Sequence, residues 1–273
     1  MTAMSRFSTR TDSLMGKTRV WMRTLCVVLV VFSAGSVFAL ASDGPTAPPQ
    51  TQILSAAQAR LRAKQYSRVA VSVDNGVATL TGSVDLYAYK VEAEKRVRHA
   101  SGVSVVRNQI EISGPTISDQ ALEAKLRTQL AYDRVGYGNV FNAIGLRVEN
   151  GVAYLSGQTR TPYDKDSALT VARFMPGVKD VVDAIEVDPV SGFDDRTRIA
   201  VARAVYGYPT LNKYAIDPAK PIRIVVKGGH VELYGMVDSE ADKNVAFIQA
   251  NGVGGVFSVT NHLQVANAKA PRL

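Results

Sequence analysis

Cysteine is almost absent from this chain, and its scarcity excludes several kinds of chemistry. Cys26 is the single cysteine among 273 residues, and the single tryptophan, Trp21, lies in the same N-terminal segment. A chain with no thiol outside that segment cannot form an internal disulfide, use a cysteine nucleophile or build a zinc–thiolate site. We therefore expect no thiol-dependent function.

Histidine and catalytic motifs are equally sparse. The three histidines, His99, His230 and His262, stand in different sequence contexts, and no carboxylate cluster accompanies them. A metal or catalytic site would need distant segments to converge. The chain also lacks the G-x-S-x-G, Walker and dinucleotide-binding patterns. We predict that the chain is not an enzyme and that it has no cofactor and no metal.

Long hydrophobic runs are limited to one, residues 25–40, which is shorter than the ~20 residues of a typical spanning helix. The basic residues Lys17, Arg19 and Arg23 precede the run, and it ends in the small-residue phrase Ala39-Leu40-Ala41. This arrangement is typical of a secretory signal peptide. We predict a signal peptide at 1–41, a Pro-rich leader at 42–51 and a periplasmic location. The alternative is an uncleaved inner-membrane anchor.

The positive charge is modest once this segment is set aside. The net charge is +8, and residues 1–41 hold five basic residues and one Asp, so 8 − 4 = +4 is left for the rest. Residues 52–113 carry +4, residues 118–189 carry −2 and residues 194–273 carry +3. This balance suits an anionic lipid surface and is too weak to indicate a nucleic-acid partner.

Glycines repeat at two fixed distances in three places. One glycine ends a strand-like phrase in each copy, a second lies 6 residues before it and a third lies 20 residues after it. The copies are 157 − 82 = 75 and 235 − 157 = 78 residues apart, which indicates small tandem domains rather than a solenoid. We interpret all nine as structural: Gly76, Gly82, Gly102, Gly151, Gly157, Gly177, Gly229, Gly235 and Gly255.

Each copy has the pattern of helix, strand, strand, helix, strand. Asn75-Gly76 and Asn150-Gly151 stand between β-rich runs and predict tight hairpins, with Gly228-Gly229 in the third copy. Alternation in the second strand predicts one buried and one solvated face. The strand glycine falls on the buried face, so we expect it to let the following Ala-containing helix approach closely. That helix makes strands two and three parallel.

The combination of this hairpin, the Ala-bearing helix and a final "GV..V.N.l.V" phrase resembles the BON domain, most clearly at 75–112 and 229–265. The second copy departs from it with Asp183 where the others have Asn. The resemblance implies an α+β fold of three tandem αββαβ modules, each a small mixed three-stranded sheet packed against two helices. The predicted modules are 52–113, 117–189 and 194–266, followed by a tail, 267–273.

The same resemblance implies a bacterial envelope protein with roles in phospholipid attachment and in osmotic or envelope stress. It brings no catalytic residues. A Tyr- and Lys-containing loop of the third copy suits a membrane headgroup layer, because tyrosine is amphipathic. We predict lipid contact by Tyr206, Tyr208, Lys213 and Tyr214. The alternative is that these rings pack over a sheet edge or between modules.

Two functional classes stay open. In the first, the modules bind phospholipid membrane surfaces. In the second, the chain is a periplasmic protein-interaction or chaperone-like module that holds envelope proteins and does not bind lipid directly.

Overall fold

The computed structural model describes residues 49–133 and 137–266. The predicted signal peptide and tail, and nearly all of the predicted leader, lie outside these residues. Within them, no helix combines the length and apolar character needed to cross a membrane. Three modules follow one another, 50–112, 119–187 and 192–265, and each has the predicted order of helix, hairpin, helix and strand.

The first module consists of α1 (Gln50–Ala59), β1 (Val69–Asp74), β2 (Val77–Val84), α2 (Tyr87–Arg98), β3 (Val105–Asn108) and β4 (Glu111–Ile112). The second consists of α3 (Asp119–Tyr132), the short α4 (Tyr137–Val140), β5 (Ala143–Glu149), β6 (Val152–Thr159), α5 (Pro162–Phe174) and β7 (Asp180–Val187). The third consists of α6 (Gly192–Gly207), β8 (Arg223–Lys227), β9 (His230–Tyr234), β10 (Met236–Val237), α7 (Glu240–Asn251), β11 (Ser258–Asn261) and β12 (Gln264–Val265). Short 3-10 turns lie at Lys64–Tyr66 and Asn212–Ala215.

The hairpin turns have the conformation that their residues predict. Asn75 and Gly76 have φ of 48° and 77°, and the Asn150-Gly151 and Gly228-Gly229 pairs also have positive φ. Asp74 pairs with Val77 across the first turn, so the loop has two residues. Such turns match the twist of the strands they join, and the predicted hairpins are confirmed.

The sheets are mixed, as expected for a hairpin followed by a crossover helix. β1 and β2 are antiparallel, whereas β2 and β3 are parallel, and the other modules repeat this arrangement. Val77 lies opposite Val105, Val152 opposite Asp180 and His230 opposite Ser258, an offset of 28 residues each time. The predicted α+β class and the mixed three-stranded pairing are therefore confirmed.

The core of each module lies between one sheet face and the helices. Ala78, Leu80 and Val84 of β2 share a cluster with Ala93 and Val97 of α2. The small helix residues recur at the same contact in the other modules: Ala168, Ala172, Ala246 and Ala250. Small side chains let helix and sheet approach closely.

The strand glycines have a different role from the one the sequence suggested. Gly82 and Gly157 are exposed and have φ of 99° and 103°. A Cβ atom on Gly157 would lie 2.1 Å from the carbonyl oxygen of Ala143, and one on Gly82 would lie 2.0 Å from that of Arg68. The expectation of a glycine buried against the helix is corrected. Glycine is needed because the hairpin's other strand lies too close for a side chain.

Apolar side chains cross both module junctions. Val140 and Phe141 of the second module are buried in the hydrophobic core of the third. Tyr87 of the first module packs against the core of the second, and burial together with a hydrogen bond to Asp180 raises the pKa of Tyr87 to about 12. Each of the first two modules therefore contributes apolar side chains to the hydrophobic core of the next one.

A buried arginine fixes the segment between the second and third modules. Arg198 of α6 is 2% exposed, and its Nη2 lies 2.7 Å from Oδ2 of Asp188 in the linker and 2.6 Å from the carbonyl oxygen of Val226. Nη1 donates to Asp195 at 2.8 Å, and Asp195 also accepts from Arg160 of the second module at 3.1 Å. Linker, helix and edge strand are thus joined through one guanidinium.

Candidate functional site

The predicted lipid-contact loop of the third module is mostly anchored to the protein. Tyr214 is 4% exposed, and its hydroxyl donates to Oδ2 of Asp242 at 2.7 Å and accepts from the backbone N–H of Asp238 at 2.7 Å. The hydroxyl of Tyr206 donates to the carbonyl oxygen of Ile222 at 2.5 Å, and burial raises the pKa of Tyr206. The expectation that these two rings enter a headgroup layer is corrected, because both fill the module's interior. For these two tyrosines, the alternative that the rings pack against the protein therefore holds.

Lys213 and Tyr208 lie nearer the surface. The Nζ of Lys213 is 2.8 Å from Oδ2 of Asp238 and 3.0 Å from Oδ2 of Asp242, so its charge is already matched. Burial alone would raise the pKa of Asp242, but hydrogen bonds from Tyr214 and Lys213 lower it. Tyr208 is 37% exposed at the end of α6. Lipid contact by these two residues stays a prediction.

Removing the Tyr214 hydroxyl should destabilise the protein. The Tyr214→Phe substitution keeps the ring but leaves the Asp238 N–H and the Asp242 carboxylate each without one partner. A buried group that loses its partner costs about 1–3 kcal/mol. We expect that loss in urea unfolding followed by circular dichroism. Tyr208→Phe is the matched control and should be close to neutral, and equal stability of both variants would contradict the anchoring role.

A different aromatic surface occupies one end of the third module. Phe257, just before β11, is 70% exposed, and its ring is stacked on that of Phe193 with centroids 6.0 Å apart. The Phe257 ring lies over the β8–β9 turn, where a Cβ on Gly229 would come within 2.8 Å of it. The ring of His230 lies edge-on to that of Phe257, with centroids 6.0 Å apart. Glycine at the turn therefore makes room for an exposed ring.

Two cations lie on the same end. Lys227 directly precedes the turn and Arg196 is in the first turns of α6, close to Phe193. Both are exposed, and neither makes an ion pair with a residue in the described ranges. We call Phe193, Arg196, Lys227, His230 and Phe257 the aromatic tip. It combines exposed rings with exposed cations, of which Lys227 is near enough to Asp188 to lower the pKa of that carboxyl.

The other modules have no aromatic ring at the corresponding place. The side chain that lies over the turn glycine is Ser104 in the first module and Lys179 in the second. Phe193 likewise takes the place of Ile117, since each approaches the glycine of the later Gly-Val pair. Sequence reasoning missed the tip because Phe257 lies in an apolar run that reads as a strand. Comparing the copies position by position would have singled it out.

The three histidines do not converge. His99 ends α2, His230 belongs to the tip, and His262 stacks on Tyr234 with centroids 4.6 Å apart. Among the residues that the structure describes, no group of three or more His, Cys, Asp or Glu side chains is arranged to hold a metal ion.

Comparison with protein families gives one match, repeated along the chain. The model of the BON domain matches residues 49–114, 118–189 and 210–267, one segment for each module. The chain belongs to the BON-domain family. The repeated unit is therefore a BON module, while the finer limits 52–113, 117–189 and 194–266 stay predictions.

Two curated proteins are similar to this BON-domain chain. Osmotically-inducible protein Y of Escherichia coli (strain K12) is 26% identical over 205 residues, covering 72% of this chain and 98% of that protein. A protein of Anaplasma centrale described by its position in the gshII 5′ region is 24% identical over 125 residues, covering 45% of this chain and 83% of its own. Among solved structures, the C-terminal domain of CdsD, a type III secretion structural protein of Chlamydia trachomatis, is 16% identical and covers 79% of this chain and 96% of its own, with a TM-score of 0.21.

Proposed function

We propose that this chain is a non-enzymatic, exported envelope protein whose BON modules bind phospholipid membrane surfaces and help to protect the envelope under osmotic stress. The aromatic tip is the observation that carries the proposal. Exposed rings enter the headgroup boundary favourably, and each nearby cation adds about 1 kcal/mol at an anionic surface. The osmotic role is supported by the similarity to Osmotically-inducible protein Y over nearly its whole length.

Vesicle co-sedimentation tests the contact surface directly. We expect binding to phosphatidylglycerol vesicles that weakens as salt screens the charges, and weaker binding to phosphatidylcholine. Replacing both Phe193 and Phe257 with Ser should reduce binding to both lipids, whereas Arg196→Gln with Lys227→Gln should remove mainly the salt-dependent part. The rings are exposed, so the folded state should persist, as a thermal melt would verify.

The matched control carries two exposed apolar residues of α7 instead. Phe247→Ser with Ile248→Ser removes similar exposed area at a helix surface outside the tip. If this control loses binding and the tip variant does not, the contact lies on α7 and the tip assignment is wrong. If the unaltered protein binds neither kind of vesicle, lipid attachment is contradicted, and the result favours the alternative of a protein-interaction module.

The proposed export predicts where the mature protein begins. The mature protein should begin near Ser42, because signal cleavage follows small residues such as those of the Ala39-Leu40-Ala41 phrase. Intact-mass spectrometry of protein purified from the native cell envelope measures this. Recovery of residues 1–41 on protein in the membrane fraction would contradict cleavage and indicate the inner-membrane anchor.

A further inference from the structure

Arg223 is a half-buried arginine with no ionic partner. It begins β8, at the seam where the third module meets the second, and its guanidinium has no hydrogen bond or ion pair to a residue in the described ranges. Burial lowers the pKa of Arg223; Tyr206 opposes this shift, and the neighbouring charge of Arg127 adds to it. A partly desolvated charge without a partner is costly in free energy, so such charges are normally paired.

The seam contains space beside this charge. A cavity of about 210 Å³ is lined by Arg223 together with residues of α3, α4 and β5, and an adjoining cavity of about 330 Å³ shares Ile144 and Arg223 with it. The side chains of Leu130, Ile144 and Leu146 form an apolar wall of the smaller cavity. A cation and an apolar wall therefore face the same space.

A second polar group in the seam also lacks a partner. The side-chain oxygen of Gln158, which lines the larger cavity, is buried without a hydrogen bond to the part of the chain that the structure describes. Buried polar atoms are normally paired with protein or bound molecules. The Gln158 oxygen needs a donor rather than an anion, so the ligand argument rests on Arg223 and the cavity beside it.

The smaller cavity, of about 210 Å³, is partly open and is suited in size to a small molecule. A carboxylate with a short alkyl chain fits it better than a phospholipid with two acyl chains. The pairing of a guanidinium with a carboxylate is strong and directional, and burial of the chain against the apolar wall adds to it.

We propose that the seam between the second and third BON modules binds a small organic anion with a short apolar chain, of the medium-chain carboxylate class. The carboxylate pairs with Arg223, and the chain lies along Leu130, Ile144 and Leu146. Because the ligand lies between two modules, its binding stabilises their arrangement.

Titration calorimetry with octanoate, octanol and inorganic phosphate tests each part of the proposal on the purified protein without membranes. Octanoate should bind more tightly than either of the others, because octanol lacks the charge and phosphate lacks the chain. Arg223→Met should weaken octanoate binding about tenfold or more, the size expected for losing a hydrogen bond to a charged group. Arg203→Met is the matched control, since Arg203 is exposed on α6 and outside both cavities.

Localisation of the ligand keeps the proposal testable if Arg223→Met does not fold. Methyl resonances of Leu130, Ile144 and Leu146 in the unaltered protein should shift on addition of octanoate. Absence of octanoate binding, equal binding of octanol or phosphate, shifts confined to other modules, or equal losses in both arginine variants would each overturn the proposal. Without lipid present, failure here leaves the membrane proposal untouched.

Discussion

Replacing Arg198 with methionine should lower the free energy of unfolding by about 3–5 kcal/mol, the cost of removing one partner from a buried ion pair. Asp188, which is 7% exposed, would then be left with no cation at 2.7 Å. The carbonyl oxygen of Val226 would lose its 2.6 Å donor as well. Urea unfolding should show this loss, and the second and third modules should come apart more easily because Arg198 joins their linker to α6.

The pH dependence of unfolding should show that the unpaired charge of Asp188 causes the loss of stability in Arg198→Met. Burial already raises the pKa of Asp188 above its usual value, although Arg198 opposes the shift. In Arg198→Met this pKa should rise further, so the folded state binds a proton that the unfolded state does not. The deficit should therefore shrink as pH falls through the raised folded-state pKa of Asp188. Adding Asp188→Asn should recover stability at neutral pH and remove this pH dependence. If the double variant is as unstable as Arg198→Met alone, the unpaired Asp188 charge is not the cause of the loss.

The repeat and its local structure could be predicted from the sequence because they depend on short-range rules. Asn-Gly pairs adopt positive φ wherever they join two strands, and alternation identifies the buried face of each second strand. A helix between two strands makes them parallel. The exact start of a helix is less well determined by sequence: Ser118 and Ser191 are the N-caps of α3 and α6, and each is followed within the first turn by aspartates, a residue type that also caps helices.

The departure at Asp183 has a physical explanation that required the structure. Asn108 and Asn261 each donate from Nδ2 to a helix carbonyl oxygen, that of Lys90 and Lys243, at 2.9 Å. Asp183 cannot donate there. Instead the ammonium of Lys165, the corresponding helix residue, lies 2.8 Å from Oδ2 of Asp183. The same strand–helix link is made with donor and acceptor exchanged, so the module keeps its fold.

Contacts between distant segments could not be predicted from the sequence. The tyrosine-rich loop looks amphipathic, but the carboxylate that holds Tyr214 lies 28 residues further along the chain, in α7. Arg223 is an ordinary basic residue in the sequence, and only the structure shows that it is half-buried beside the second module, with no ionic partner in residues 49–133 and 137–266. The aromatic tip likewise exists because Phe193 and Phe257, far apart in sequence, meet at one turn.

Substitution of Gly157 distinguishes the two physical reasons for a glycine in the second strand. Gly157→Val should destabilise the protein by at least about 2 kcal/mol, because the residue has φ of 103° and a Cβ would lie 2.1 Å from the carbonyl oxygen of Ala143. If helix packing were the reason, alanine would be far milder than valine. Because the first added carbon already meets the backbone, Gly157→Ala should produce most of the loss.

Gly254→Ala provides the matched control for this substitution. Gly254 has no heavy atom within 4 Å of an added Cβ and no positive φ, so alanine there should leave the melting temperature nearly unchanged. Thermal unfolding of the three variants beside the unaltered protein makes the comparison. If Gly157→Ala has the same melting temperature as Gly254→Ala, the hairpin strands can move apart freely, and the close approach of Ala143 does not explain the glycine. If Gly157→Ala has the same melting temperature as Gly157→Val, backbone geometry alone requires glycine at this exposed position.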